Sequence, residues 1–201
     1  MSPLRLAALS LALASALWIV VFLVRPLGFW PTLSISTLIL LIVAIAINRE
    51  RPSLRLTRRA VFIGIASGAL LYLLFFAGYQ LTKGSTIFSE GVGQVYELRT
   101  VPSLLIGLIL VFPIGPGEEI YWRGLIQRRF SERLGTQAGL LTATIAYALV
   151  HLPTMNLPLI LTAFIGGLTW GYVYQKTESL LPVIISHVLF DLLIFVILPF
   201  A

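Results

Sequence analysis

The chain has 201 residues, of which 58% are hydrophobic and only 11% are charged, and its mean hydropathy is +0.98. Soluble domains hold about 45–50% apolar and about 25% charged residues, so this composition excludes a soluble globular protein and indicates a polytopic membrane protein. The chain contains no cysteine, which excludes disulfides, thiolate zinc ligands and cysteine nucleophiles.

The first predicted element is a transmembrane helix that begins after Arg5 and extends through Val24. The short sequence from Ala14 to Ala16 resembles a signal-peptide cleavage site. However, the apolar run continues for about 19 residues, which is the length that a helix needs to cross a bilayer. We therefore interpret this segment as a helix that is retained in the protein.

Pro113 and Pro116 divide the middle of the chain, and we expect a new helix to begin there with Pro116 in its first turn. Residues 82–100 are predicted to form the longest loop. The sequence predicts an all-α fold, a polytopic transmembrane bundle of about seven helices in one domain spanning residues 1–201, with a motif-bearing core at about 101–199. The predicted spans are 6–24, 31–47, 60–78, 101–114, 138–151, 158–175 and 180–199.

The net charge of +6 arises mainly from two basic segments between apolar runs. Such segments follow the positive-inside rule of membrane proteins, so we expect both of them, and the N-terminus, to be cytoplasmic and do not expect nucleic-acid binding. The arginines are Arg49, Arg51, Arg55, Arg58 and Arg59 in the first segment and Arg128, Arg129 and Arg133 in the second.

Two adjacent glutamates lie in the sequence GPGEEIYWRGLIQRR, directly after an apolar run. Glu119 and Arg123 are four residues apart and can form an ion pair on one helix. Glu118 lies about 100° around the same helix from its neighbour. We therefore expect Glu118 to face an interior cavity while Glu119 and Arg123 support the structure. A purely structural ion pair is the alternative interpretation of Glu119 and Arg123.

Both histidines and the only aspartate of the chain also lie in or at the end of apolar runs. A charge in the middle of a membrane helix costs ~2.5–3.5 kcal/mol on insertion scales, so such residues are functional candidates. Tyr147 and His151 are four residues apart, as are His187 and Asp191, and each pair can share one helix face. We predict that these groups and Glu118 line one wet cavity.

This set of side chains is suited to two kinds of chemistry. A carboxylate and imidazoles can activate water for attack on an amide and stabilise the resulting oxyanion, or they can bind a divalent metal such as zinc. No H-E-x-x-H sequence is present, which excludes a zincin site. The less specific alternatives are a histidine that only connects two helices by a hydrogen bond and a Tyr147 that serves in packing or as an interfacial anchor.

Three short motifs occur in order on separate predicted helices: EEIYWR from Glu118, YALVH from Tyr147 and HVLFD from His187. Together they resemble the motifs E-E-x-x-x-R, F-x-x-x-H and H-x-x-x-N/D of the CPBP family of intramembrane proteases, which includes type II CAAX prenyl endopeptidases and bacterial Abi proteins. The resemblance covers about residues 112–192.

The resemblance implies that Glu118 and His151 activate water, and that His187 and Asp191 bind or polarise the scissile carbonyl. Glu119, Arg123 and Tyr147 would then support the site. The family is called a metalloprotease family, yet a metal-free glutamate mechanism is also favoured for some members, so both alternatives stay open. If the enzyme uses a metal, the same four catalytic candidates are the implied ligands.

Two positions depart from the family pattern. Tyr147 stands where Phe is usual and adds a hydroxyl group that can reach the cavity. Asp191 stands where eukaryotic members have Asn, and an ionised carboxylate cannot donate a hydrogen bond to an oxyanion. We therefore expect Asp191 to orient His187.

The leading hypothesis is an intramembrane endopeptidase that cleaves a lipidated or membrane-inserted peptide or protein, with the lipid bilayer as its second partner. The absence of long loops between the spans favours the bacterial inner membrane. One alternative is a non-catalytic member of the same family, such as a bacteriocin self-immunity protein or a regulatory scaffold. Another is a proton-coupled transporter, which predicts inverted repeats that the sequence does not show.

Overall fold

The structure is a computed structural model that describes residues 3–48 and 53–200. Within these ranges it has eight helices and no β-strand, which confirms the predicted all-α bundle. The helices are α1 (residues 3–24), α2 (Phe29–Ile47), α3 (Arg58–Thr82), α4 (Thr86–Glu97), α5 (Ser103–Leu134), α6 (Thr136–Leu149), α7 (Leu157–Thr177) and α8 (Leu180–Ile197).

Among the described helices, all except α4 and α6 are long and apolar enough to cross a membrane, which gives six candidate spans. Only 28–39% of the most apolar window of each span is buried inside the protein. Most of each helix surface therefore faces outward, and large apolar side chains such as Leu70 and Phe62 are exposed there. This pattern is that of a multi-pass membrane protein, whose helices satisfy their own backbone groups and present apolar side chains to lipid.

The basic segment that leads into α3 and includes its first two residues is only partly described. Arg49 and Arg51 lie outside the described residues, while Arg55, Arg58 and Arg59 are exposed. Their exposure agrees with a loop at the membrane surface. The cytoplasmic orientation of this loop and of the N-terminus stays a prediction.

The predicted interruption at Pro113 and Pro116 is wrong, because α5 continues through both prolines as one helix. Two π-helical stretches lie within it, at Leu110–Ile114 and Trp122–Gln127. A proline lacks the N–H that an α-helix requires and clashes with the preceding turn. A wider π-helical turn accommodates it without ending the helix. As a result, the two glutamates lie in the middle of a long membrane helix and not at its start.

The predicted loop at 82–100 is also wrong, because it contains α4. Val92, Val95 and Tyr96 have the spacing of one helix face, and all three line the central cavity. In the sequence this short apolar pattern is surrounded by charged residues, so the segment was predicted to be a loop and not a helix. Asn156, just before α7, fixes the position of α4 because its Nδ2 donates to the carbonyl oxygen of Gly91 at 2.8 Å.

Three helices meet closely at Gly171 on α7. A Cβ at this position would clash with Cδ1 of Leu140 on α6 and would lie 2.7 Å from Oε1 of Gln127 on α5. The Gln127 side chain also donates from Nε2 to the Gly171 carbonyl oxygen at 2.9 Å. Small residues allow such close approach between membrane helices, and here they set the distance between the helices that carry the polar motifs.

We predict that Gly171→Ala lowers the midpoint of thermal unfolding in detergent, because the added methyl group overpacks this junction at a cost of about 1–3 kcal/mol. Gly78→Ala is the matched control. A Cβ at Gly78, within α3, meets no atom within 4 Å, and alanine is favoured over glycine in helices by roughly 0.5–1 kcal/mol. Equal midpoints for the two variants would contradict the close packing at Gly171.

Candidate active site

The Glu119 carboxylate is the most deeply buried charged group of the site, with 0% exposure. Its Oε1 accepts a hydrogen bond from Nη1 of Arg123 at 2.8 Å, so the predicted buried ion pair is present. The same Oε1 lies 2.6 Å from Nδ1 of His187 on α8. Glu119 therefore connects α5 to α8 and holds a residue that was predicted to be catalytic.

The side chain of Arg123 extends from α5 towards α6 and α7. Its Nη2 donates to the carbonyl oxygen of Gly167 at 3.3 Å. Its guanidinium carbon lies 4.9 Å from the ring centroid of Tyr147 and 5.3 Å from that of Trp170, distances at which cation–π attraction operates. These contacts and the pairing with Glu119 stabilise the buried positive charge.

The His187 ring is fixed on both edges and on one face. Its Nδ1 faces Glu119, and its Nε2 lies 3.4 Å from Oδ2 of Asp191. The ring stacks on Trp170, with centroids 3.9 Å apart and planes at 19°. Ionised carboxylates only accept hydrogen bonds, so this arrangement is satisfied when both ring nitrogens carry a hydrogen. The geometry thus favours an imidazolium that is oriented by two carboxylates.

Glu118 points away from this ion-pair network and faces the cavity. Its side chain is 6% exposed, and its Oε2 accepts a hydrogen bond from the Tyr147 hydroxyl at 2.8 Å. This bond uses the hydroxyl by which Tyr147 departs from the usual Phe. Because Oε2 has this partner, Oε1 is the oxygen left to interact with a molecule in the cavity.

His151 lies in the turn that follows α6. The predicted helix 138–151 ends two residues too late, since α6 ends at Leu149. The backbone N–H of His151 donates to the Ala148 carbonyl at 3.1 Å, as in a final helical turn. The Nδ1 of its ring lies 2.8 Å from the Tyr147 carbonyl oxygen, and its Nε2 lies 3.4 Å from Nε1 of Trp18 on α1.

One cavity of about 160 Å³ brings the predicted site residues together. Glu118, Tyr147, His151, His187 and Asp191 all line it, whereas Glu119 and Arg123 lie behind this surface. The remaining wall is mostly apolar and aromatic. Much of this wall comes from the first hundred residues, to which the sequence analysis assigned no role in the site. They include Trp18, Phe22, Phe29, Trp30, Phe75 and Tyr96. Their aromatic character was the available signal, but it does not distinguish a cavity wall from a packed core.

The residues in this arrangement do not fit a zinc site. A catalytic zinc ion takes three protein ligands, and no group of three or more His, Asp or Glu side chains in the described ranges is placed to hold a metal ion. The nitrogens of His187 face Glu119 and Asp191, and those of His151 face Tyr147 and Trp18. These nitrogens are thus directed at protein groups, and the use of zinc stays an expectation.

We predict that Glu119→Gln lowers the free energy of unfolding by about 3–5 kcal/mol, because it leaves Arg123 buried without its counter-charge and His187 with that of Asp191 alone. The measurement is thermal or chemical unfolding in detergent. Glu132→Gln is the matched control on the same helix, since Glu132 pairs with Arg128 and Arg129 at a side-chain exposure of 45%. Exposed pairs contribute about 0–1 kcal/mol. Similar losses for both variants would contradict a central role for Glu119.

Comparison with known proteins identifies one family that the chain resembles. A family model described as type II CAAX prenyl endopeptidase Rce1-like matches residues 100–193, a segment that contains all three motifs. No curated protein and no solved structure matched the chain. The resemblance to the CPBP family of CAAX proteases, predicted from three short motifs, is therefore confirmed over residues 100–193.

Proposed function

We propose that this protein is an intramembrane endopeptidase that activates water with a glutamate and a histidine. The observation that carries this proposal is the convergence of Glu118, His151, His187 and Asp191, from three different parts of the chain, on one cavity. Ionisable groups are costly inside a membrane bundle and usually mark a functional site. The match to an endopeptidase family supports the same conclusion.

In the proposed mechanism Glu118 is the general base. The water oxygen attacks the carbonyl carbon of the peptide bond, and the water proton moves to the free Oε1 of Glu118. Collapse of the tetrahedral intermediate breaks the C–N bond, and the protonated Glu118 returns the proton to the leaving amine. The Tyr147 hydroxyl orients the carboxylate from the opposite oxygen, and Nε2 of His151 accepts the second hydrogen bond of the water.

His187 supplies the positive charge for the oxyanion in this mechanism. Its Nε2–H lies at the long distance of 3.4 Å from Asp191, so a developing oxyanion can compete for this hydrogen. Preorganised donors of this kind stabilise charge that forms in the transition state. Asp191 and Glu119 hold the ring in place and maintain its charge, while neither carboxylate donates to the substrate itself.

The substrate class that fits this cavity is a lipidated or membrane-inserted peptide. The apolar and aromatic walls around the polar centre suit an apolar side chain or a lipid chain. A substrate anchored in the bilayer would enter laterally or from one membrane face. The compact bundle, the basic loop and the positive-inside rule support a multi-pass protein of the bacterial inner membrane with a cytoplasmic N-terminus.

We predict that Glu118→Gln abolishes peptidase activity of the purified protein and leaves substrate binding and thermal stability close to those of the wild type. The amide is nearly isosteric but cannot accept a proton at neutral pH. Glu132→Gln, which alters an exposed carboxylate of the same helix, should retain activity. Normal cleavage by Glu118→Gln would exclude Glu118 as the base.

The same assay tests the metal-dependent alternative. Activity that survives exhaustive chelation supports the glutamate mechanism. Activity that is lost on chelation and restored by zinc would contradict this mechanism. Glu118 would then have to be reassigned between the roles of metal ligand and general base. Absence of peptidase activity in the wild type on lipidated and membrane-inserted peptides would favour the non-catalytic or transporter alternatives.

We predict that Tyr147→Phe reduces kcat about tenfold or more with little change in KM, because the carboxylate of Glu118 loses the partner that orients it. Hydrogen bonds to charged groups contribute about 1.5–3 kcal/mol, and about 1.4 kcal/mol corresponds to a tenfold change in rate. The variant has the phenylalanine that is usual in the family, so it should fold.

Tyr121→Phe is the matched control for this variant. Tyr121 is 0% exposed and its hydroxyl donates to the Ser10 carbonyl at 2.7 Å, but it does not line the cavity. Its removal should change stability and leave kcat unaltered. A wild-type kcat for Tyr147→Phe would show that this hydroxyl serves packing only.

A further inference from the structure

We propose that Trp18 on α1 is a positioning residue for His151. The indole N–H of Trp18 holds the lone pair of His151 Nε2, the atom that accepts a hydrogen bond from the catalytic water, in a fixed direction. This inference rests on the proposed peptidase function, because there His151 acts through its Nε2. Trp18 lies outside the segment 100–193 that matches the endopeptidase family model.

The two hydrogen-bond partners of His151 specify one tautomer. The Tyr147 carbonyl oxygen, 2.8 Å from Nδ1, can only accept, so Nδ1 carries the hydrogen. The Trp18 indole nitrogen, 3.4 Å from Nε2, can only donate, so Nε2 carries the lone pair. An imidazolium would place two N–H groups against each other at Trp18. Both neighbours therefore select the neutral ring with Nε2 as its acceptor.

His151 requires such a neighbour because it lies in a turn and not within a helix. Trp18 is itself fully buried within the bundle, with 1% exposure. Phe22, about one helical turn further along α1, packs 5.5 Å from the His151 ring. Together the two α1 side chains prevent the imidazole from rotating away from its position in the cavity wall.

The length of the Trp18–His151 contact is consistent with a bond that can be exchanged. At 3.4 Å it lies beyond the usual N–H donor distances of about 2.7–3.2 Å, so a water O–H at a shorter distance competes successfully for the lone pair. In the resting protein the indole N–H keeps the lone pair of Nε2 in the required direction. When substrate and water enter, the water replaces the indole as the donor.

The first test compares Trp18→Phe with Trp122→Phe. Both tryptophans are 1% exposed, and they touch each other, but Nε1 of Trp122 has no hydrogen-bond partner among the described residues. We expect Trp18→Phe to lower kcat about fivefold to tenfold, equivalent to about 1–1.4 kcal/mol, because the His151 ring is no longer held in the required direction before the water enters, with KM changed less than about twofold. Trp122→Phe loses similar aromatic volume and should retain the wild-type kcat.

The second test requires no activity and reads the His151 ring directly. The chain has two histidines, so ¹⁵N-histidine labelling gives two pairs of ring nitrogens, which a His187→Gln variant assigns. We expect one protonated nitrogen and one hydrogen-bonded unprotonated nitrogen for His151 in the wild type. In Trp18→Phe the unprotonated signal should move to the position of a nitrogen without a donor, and in Trp122→Phe it should not.

These outcomes separate the two proposals. An unchanged His151 spectrum in Trp18→Phe, or equal losses of kcat in both tryptophan variants, would overturn the role of Trp18. A changed spectrum in a protein without peptidase activity would confirm the contact and overturn the proposed function instead.

Discussion

The structure depends on how a fully buried carboxylate is neutralised inside an apolar bundle. Glu119 has 0% exposure, and an unpaired charge in such a place would cost several kcal/mol. Arg123 from the same helix and His187 from α8 both reach one of its oxygens. This shared oxygen fixes the relative position of α5 and α8 and determines where the His187 ring lies.

This arrangement leaves the adjacent glutamate free to face the cavity. Because neighbouring residues on a helix diverge by about 100°, Glu118 cannot join the same network and instead faces the cavity, where Tyr147 holds one of its oxygens. The two consecutive glutamates thus serve different surroundings. Glu119 belongs to the ion-pair network behind the cavity wall, whereas Glu118 lines the cavity itself.

The first half of the chain contributes to this site although the family match does not include it. Trp18 contacts His151, Trp30 lines the cavity, and the Tyr121 hydroxyl on α5 donates to the Ser10 carbonyl of α1. These contacts pack α1 and α2 against the motif-bearing helices. They place aromatic surface around the polar centre, and an apolar surrounding strengthens the electrostatic interactions inside it.

The sequence by itself determined the fold class and the ionisable groups that line the cavity, because both depend on local properties. Apolar composition and run length require membrane helices, and the i,i+4 spacing places Glu119 with Arg123, and His187 with Asp191, whatever the rest of the fold does. The position of the helix ends was less predictable. Pro113 would normally end a helix, but a π-helical turn accommodates it.

Only the tertiary structure decided which of these groups touch one another. The Glu119–His187 contact joins residues 68 positions apart, and the Trp18–His151 contact joins residues 133 positions apart. Neither separation has a periodicity that the sequence could reveal, since each depends on how closely whole helices pack, as at Gly171. The spacing of residues along one helix fixes the directions in which their side chains point. Contact between two helices also depends on the distance between them and on the rotation of each helix about its axis, which only the complete bundle determines.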